Sequence, residues 1–84
     1  MELLDFYADW CGPCQMLKPT LEEFEEKHPE IKITRVNIDE EEEMTEKYNV
    51  SGTPCLVALK NGEEVAREVG VLPLKKIEKL VGVK

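Results

Sequence analysis

Trp10-Cys11-Gly12-Pro13-Cys14 is the stretch around which the rest of the chain can be read. It closes the apolar run Leu3 to Ala8 and opens a helical pattern, so both cysteines fall where a strand feeds a helix. A thiol placed there meets unpaired backbone N–H groups and the positive end of the helix dipole, both of which favour the thiolate. Two thiols at this spacing can close into a disulfide or act in turn. The chemistry expected is dithiol–disulfide exchange, with the first cysteine as the attacking group.

Upstream of the motif, residues 2 to 8 read as a strand covered on both faces, because Leu3, Leu4, Phe6, Tyr7 and Ala8 leave almost no polar side. Asp5 interrupts that run. A carboxylate in such a strand is unfavourable unless it is paired, hydrated or protonated. Two readings follow: an edge or twisted position that exposes Asp5, or a buried proton acceptor close to the cysteines.

Downstream, a helix runs from Cys11 or Gly12 to His28. Met16, Leu17, Leu21 and Phe24 recur on its inner face, and Glu22, Glu23, Glu25, Glu26 and Lys27 form the solvated one. Pro13 falls in the first turn, where its missing N–H is harmless, while Pro19 predicts a kink. The single histidine, His28, reads as a helix-end residue facing solvent rather than as a ligand.

Ile31 to Ile38 form the next strand. Its alternation changes phase between Ile31/Ile33 and Val36/Ile38, which predicts a bulge or burial on both faces near its end. Lys32 and Arg35 suit an exposed sheet edge. Asp39 is expected to cap a short helix reaching Tyr48, with Glu40, Glu41, Glu42 and Glu43 as a solvated first turn. After a loop from Val50, the strand Cys55–Lys60 meets Asn61-Gly62, a hairpin signal that returns Glu63–Val69 antiparallel. Gly70 marks a bulge or a close approach. Leu72-Pro73 opens a last helix with Leu74, Ile77, Leu80 and Val81 inward and Lys75, Lys76 and Lys79 outward. The order βαβ-α-ββα gives one α/β domain over residues 1–84, with a mixed four-stranded sheet and helices on both faces.

A chain of 84 residues fits one core. Its formal charge of −7 argues against nucleic acid or an anionic membrane as partner, since both need basic surface. The longest apolar run, Cys55 to Leu59, is far short of the roughly 20 residues that span a bilayer. No basic segment precedes the first strand, as a secretory leader requires. Three cysteines, an odd number, suit a reducing compartment. A cytoplasmic location is expected, and nothing calls for more than a monomer.

Asp5-Phe6-Tyr7-Ala8-Asp9-Trp10-Cys11-Gly12-Pro13-Cys14, Val36-Asn37-Ile38-Asp39, Gly52-Thr53-Pro54, Lys60-Asn61-Gly62 and Val69-Gly70 together make the chain resemble a thioredoxin over almost its whole length. A bare pair of cysteines at this spacing also occurs in zinc sites. Trp10 before it, Gly12-Pro13 within it and Thr53-Pro54 beyond it make the match specific.

The resemblance implies that Cys11 is the exposed nucleophile and Cys14 the resolving thiol. It implies that Asp5 is a buried acid taking the proton of Cys14, its pKa raised by burial so that it is a better base near neutral pH. Arg35 stands where the family often has a lysine near that acid, and a guanidinium does not deprotonate. Pro54 corresponds to a cis-proline facing the disulfide, with Thr53 offering backbone groups to an extended substrate segment. Trp10, Gly12, Pro13, Gly52 and Gly70 correspond to the shallow rim around the site, although Trp10 also fits an ordinary core position. The implied activity is reduction of protein disulfides by an electron carrier of cell redox homeostasis. Its partners would be disulfide-containing proteins and a thioredoxin-reductase-like donor, with no metal and no cofactor beyond the redox-active Cys11–Cys14 disulfide.

Departures from the family pattern are also visible. The usual strand and helix ahead of the first strand are missing, which puts the second strand at an edge. Tyr7 replaces a more usual Trp or Phe. Cys55 stands where Thr commonly follows the proline, either as a small buried core residue or as a third thiol near Cys14. Competing functions are glutaredoxin-like or disulfide-isomerase-like exchange on the same fold, a zinc module using Cys11, Cys14, Cys55 and His28, and a docking subunit without redox turnover.

Overall fold

A computed structural model of the chain describes residues 1–83. The first apolar run forms strand β1 (Glu2–Tyr7), which lies inside the sheet. It pairs in parallel with β2 (Lys32–Asn37) and antiparallel with β3 (Cys55–Lys60), and β3 pairs antiparallel with β4 (Glu63–Val69). The order across the sheet is β2-β1-β3-β4. Helix α1 (Gly12–Lys27) joins β1 to β2, α2 (Glu42–Lys47) precedes β3, and α3 (Leu74–Val81) follows β4. The mixed four-stranded sheet and the element order are those expected.

Inner strands carry side chains to both faces alternately, and both faces of β1 and β3 are covered. Leu3, Leu56 and Ala58 pack with Leu17, Leu21 and Phe24 of α1 and Ile77 and Val81 of α3. On the other face Leu4, Phe6, Val36, Cys55 and Val57 pack with Met44 and Tyr48. This two-sided burial, at about 1.5–3 kcal/mol for each large apolar side chain, holds β1 in place despite its one carboxylate. No helix among the described residues is long and apolar enough to cross a membrane.

Helix α1 begins just after Cys11 and runs unbroken through Pro19, with Cys14, Leu17, Leu21 and Phe24 as its buried stripe. Met16, expected inside, is 69% exposed. Two residues past Cys14 it points almost to the opposite side of the helix, away from that stripe. His28 caps the helix through its backbone N–H to the Phe24 carbonyl, but its ring does not face solvent. The ring lies against Phe24, with Nε2 2.6 Å from Glu78 Oε2. The packing of α3 on α1 supplies that partner.

Strand β2 is an edge strand in regular register with β1, so its phase change reflects burial of both Val36 and Asn37 rather than a bulge. The helix after it starts later than expected. Asn37 Oδ1 accepts the Asp39 N–H, and the Asn37 carbonyl accepts the N–H groups of Glu40 and Glu41. This turn occupies residues 37–41, so Glu41 rather than Asp39 precedes the first helical residue and no side chain caps α2. Glu40 to Glu43 are exposed, as a solvated segment should be.

The hairpin turn takes positive φ at Asn61 (54°) and Gly62 (82°), the pattern of a type I′ turn. Between Ala58 and Leu59 the register shifts by one residue, leaving Val65 as the extra residue of β4. The bulge is therefore at Val65 and not at Gly70. Gly70 is glycine for its backbone: φ is 110°, a Cβ there would meet nothing within 4 Å, and its N–H donates to the Pro54 carbonyl at 2.8 Å. In α3, Ile77 and Val81 are buried and Leu74 and Leu80 partly so, with Lys75, Lys76 and Lys79 exposed. Glu78, not foreseen as an inward residue, is buried with them.

Candidate functional site

Cys11 and Cys14 are joined in a disulfide at the start of α1, with their Cα atoms 5.3 Å apart. Cys11 is in extended conformation, its N–H donates to the Ala8 carbonyl, and its Sγ accepts the N–H of Cys14 at 3.1 Å. The first thiol thus takes the place that an oxygen side chain usually takes at a helix start. The same N–H and the helix dipole stabilise negative charge on that sulfur once the disulfide opens. Cys11 is nevertheless 4% exposed, against the expectation of an exposed nucleophile. With the disulfide closed, its sulfur turns inward toward Cys14 and packs with Ala8, beside Tyr7 and Ile38.

Asp5 is 5% exposed on an inner strand, which removes the edge reading. Its carboxyl lies in a pocket of about 230 Å³ whose lining also includes Cys14, Arg35, Lys18 and Asp9. Burial pushes its pKa up from 3.8 to about 6, against a smaller lowering by the Arg35 guanidinium. Arg35 is the direct cross-strand neighbour of Asp5 in the β1–β2 register. A carboxyl whose pKa is raised toward neutrality and the second cysteine therefore line one pocket.

Trp10 is 70% exposed, so it is not a core residue. Its Nε1 donates to Asp39 Oδ2 at 2.8 Å, an interaction the sequence reading missed by giving Asp39 to the helix start. The spacing of the two residues carried no signal, because only the path of β2 and the Asn37 turn bring them together. Gly12 and Pro13 are exposed beside the disulfide. The Thr53-Pro54 peptide is cis, as the resemblance implies, and Pro54 is buried. Gly52 and Thr53 are half-buried, and a Cβ on Gly52 would lie 3.7 Å from the Val69 side chain.

Cys55 is a free thiol, 1% exposed, packed with Phe6 and Val57 on the α2 side of the sheet. It belongs to a different packing cluster from Cys11 and Cys14, which favours the core reading. Burial pushes its pKa up, with a partial offset from Arg67. Among the described residues no group of three or more His, Cys, Asp or Glu side chains is arranged to hold a metal, and His28 is engaged by Glu78.

A family model described as Thioredoxin matches residues 1–82. The thioredoxin of Chlamydia pneumoniae is 49% identical over 69 residues, covering 82% of this chain and 68% of the relative. That of Bacillus subtilis is 44% identical over 80 residues, covering 94% of this chain and 77% of the relative. Among solved structures, Fasciola hepatica thioredoxin superposes with a TM-score of 0.89 at 36% identity, covering 99% of this chain and 80% of that one.

Proposed function

The chain belongs to the thioredoxin family and is a thiol–disulfide oxidoreductase, and from that premise we propose how its residues divide the reaction. Cys11, as thiolate, attacks one sulfur of a partner's disulfide. That bond breaks, a mixed disulfide forms, and the partner's first sulfur leaves as a thiolate that takes a proton from solvent. Asp5 carboxylate accepts the proton of the Cys14 thiol, across the pocket or through water in it. Cys14 thiolate then attacks Cys11 Sγ, the Cys11–Cys14 disulfide forms, and the second partner sulfur leaves. Two electrons pass from the dithiol to the partner, and the proton on Asp5 returns to the leaving thiolate or to water. The second step is intramolecular, because both sulfurs sit on one turn. The observation that carries this reading is the closed disulfide at the start of α1 with the Asp5 carboxyl lining the same pocket as Cys14.

Substrate docking falls to Trp10, Gly12, Pro13, Gly52, Thr53, Pro54 and Gly70. Exposed backbone beside a cis-proline suits an extended peptide held by main-chain hydrogen bonds, with little side-chain selectivity. The substrates are disulfide-containing proteins, and a thioredoxin-reductase-like donor restores the dithiol, so the protein serves electron transport without a bound cofactor. Residues 1–84 act as one domain and as a monomer. The cytoplasm is the proposed compartment, since a free Cys55 and a cycling dithiol need reducing surroundings.

The test is a pair of variants challenged with a protein disulfide. Cys14→Ser should accumulate a mixed disulfide at Cys11, released by dithiothreitol and mapped by mass spectrometry. Cys11→Ser should form none and lose turnover. Equal trapping by both variants would remove the assigned order of attack.

A further inference from the structure

Arg35 stands between two neighbourhoods. On one side it lines the pocket that holds Asp5 and Cys14, and on the other it borders a depression formed with Glu22, Glu25 and Glu26 of α1. The register places Arg35 directly beside Asp5, on the same side of the sheet. Yet the guanidinium bonds elsewhere: Nη2 donates to Glu25 Oε1 at 3.0 Å. Arg35 acts on Asp5 through space alone, as a charge near the carboxyl rather than a partner bonded to it.

We propose that Glu25 is a positioning residue of the redox site, holding the Arg35 guanidinium on the α1 side so that it stands beside Asp5 without pairing with it. A direct, hydrogen-bonded Arg35–Asp5 pair would favour the carboxylate strongly and leave Asp5 too weak a base for the Cys14 thiol. Removing Arg35 altogether would have the opposite effect, leaving burial unopposed and the carboxyl protonated to higher pH. Glu25 fixes the intermediate condition. The other titratable groups facing Asp5 are Tyr7 of β1, Asp9 of the following loop, and Cys14 and Lys18 of α1, while Cys55 of β3 lies on the opposite face of the sheet. Among these neighbours, Arg35 is the cation that opposes the burial of Asp5.

This inference rests on Asp5 serving as the proton acceptor, and its test separates the two. The Asp5 carboxyl is titrated by carbon NMR in the whole protein as wild type, Glu25→Gln, Glu25→Asp, Arg35→Gln and the Glu25→Gln/Arg35→Gln double variant. Glu25 is on the exposed face of α1, so these variants should fold. Glu25→Gln should move the Asp5 titration to lower pH, because the freed guanidinium turns to the carboxyl. Arg35→Gln should move it to higher pH, and the double variant should coincide with Arg35→Gln, since Glu25 acts through Arg35. Glu25→Asp, which keeps the charge, should restore most of the wild-type value. A titration unmoved by Glu25→Gln, or moved equally in the Arg35→Gln background, overturns the inference. A titration that moves as expected while the pH profile of mixed-disulfide resolution does not upholds the positioning of Arg35 and overturns the assignment of Asp5 as the proton acceptor.

Discussion

The indole Nε1 of Trp10 donates to Asp39 Oδ2 across 2.8 Å, tying the residue before the first cysteine to the turn that follows β2. The indole is largely in solvent, so its orientation depends on this bond rather than on packing. Asp39→Ala should therefore lower stability by no more than about 1.5 kcal/mol, the usual net worth of one hydrogen bond. Its effect should appear in docking: a higher KM for a protein disulfide, with kcat toward a small disulfide little changed. Steady-state kinetics on both substrates decides the matter, and an unchanged KM would detach Trp10 orientation from recognition.

Asp5 weakens the fold at neutral pH. Its carboxyl titrates near 6 in the folded chain and at 3.8 ordinarily, so between those values the folded state holds a proton that the unfolded state has released. Stability contributed by the neutral carboxyl is lost as pH rises through that window. At about 1.4 kcal/mol per pH unit the loss is of order 3 kcal/mol. Asp5→Asn should stabilise the protein by up to about that amount at pH 7 and hardly at all below 3.8, read by urea unfolding at both. The same variant should slow release of the mixed disulfide. A stability gain that is constant with pH would show that Asp5 is not buried as a titrating acid.

The tie between α1 and α3 has the opposite sign. The His28 hydrogen bond, with the Lys27 and His28 charges behind it, holds the Glu78 carboxyl below its ordinary value of 4.5. A lowered carboxylate stabilises above the unfolded value and loses that contribution as pH falls through the folded one. Glu78→Gln should be less stable than wild type at pH 7, and the two should converge in acid. Urea midpoints measured across the acid range test this, and parallel curves would show that Glu78 is not held as a carboxylate by these partners.

Cys55 should behave as a small hydrophobe. Cys55→Val keeps the site apolar but adds a branch to a close-packed cluster, and should cost no more than about 1–3 kcal/mol. Cys55→Ser buries a hydroxyl among Phe6 and Val57 and should lose roughly 1–3 kcal/mol. Neither should alter the reduction potential of the Cys11–Cys14 pair. A shifted potential in Cys55→Val would bring the third thiol back into the redox chemistry.

Much of this was legible from local rules. The bounds of β3 and β4 coincide with those read from Cys55–Lys60 and Glu63–Val69, because Asn61-Gly62 demands positive φ at two successive residues. The start of α1 and its Leu17, Leu21 and Phe24 stripe follow from period and from Pro13. The errors lie where one side chain had two local uses. Asp39 has the composition of a helix cap, but Asn37 already satisfies the turn and leaves Asp39 to Trp10. Met16 has the composition of a core residue but the wrong angle on the helix.

The order of elements and the cysteine pair at a strand-to-helix junction were determined by the sequence alone, since each depends on neighbours within a few turns of chain, and so was the family, since each of its motifs is a short run legible by itself. The character of Asp5 was not. Whether that carboxyl is solvated, paired or buried depends on β2 and β3 closing on both sides of β1 and on α1 crossing above it. The same holds for Arg35, whose choice of Glu25 over Asp5 is made between residues on separate elements. Periodicity places a residue on a face. Desolvation and charge pairing depend on what the rest of the chain brings to that face, and only the tertiary structure decides this.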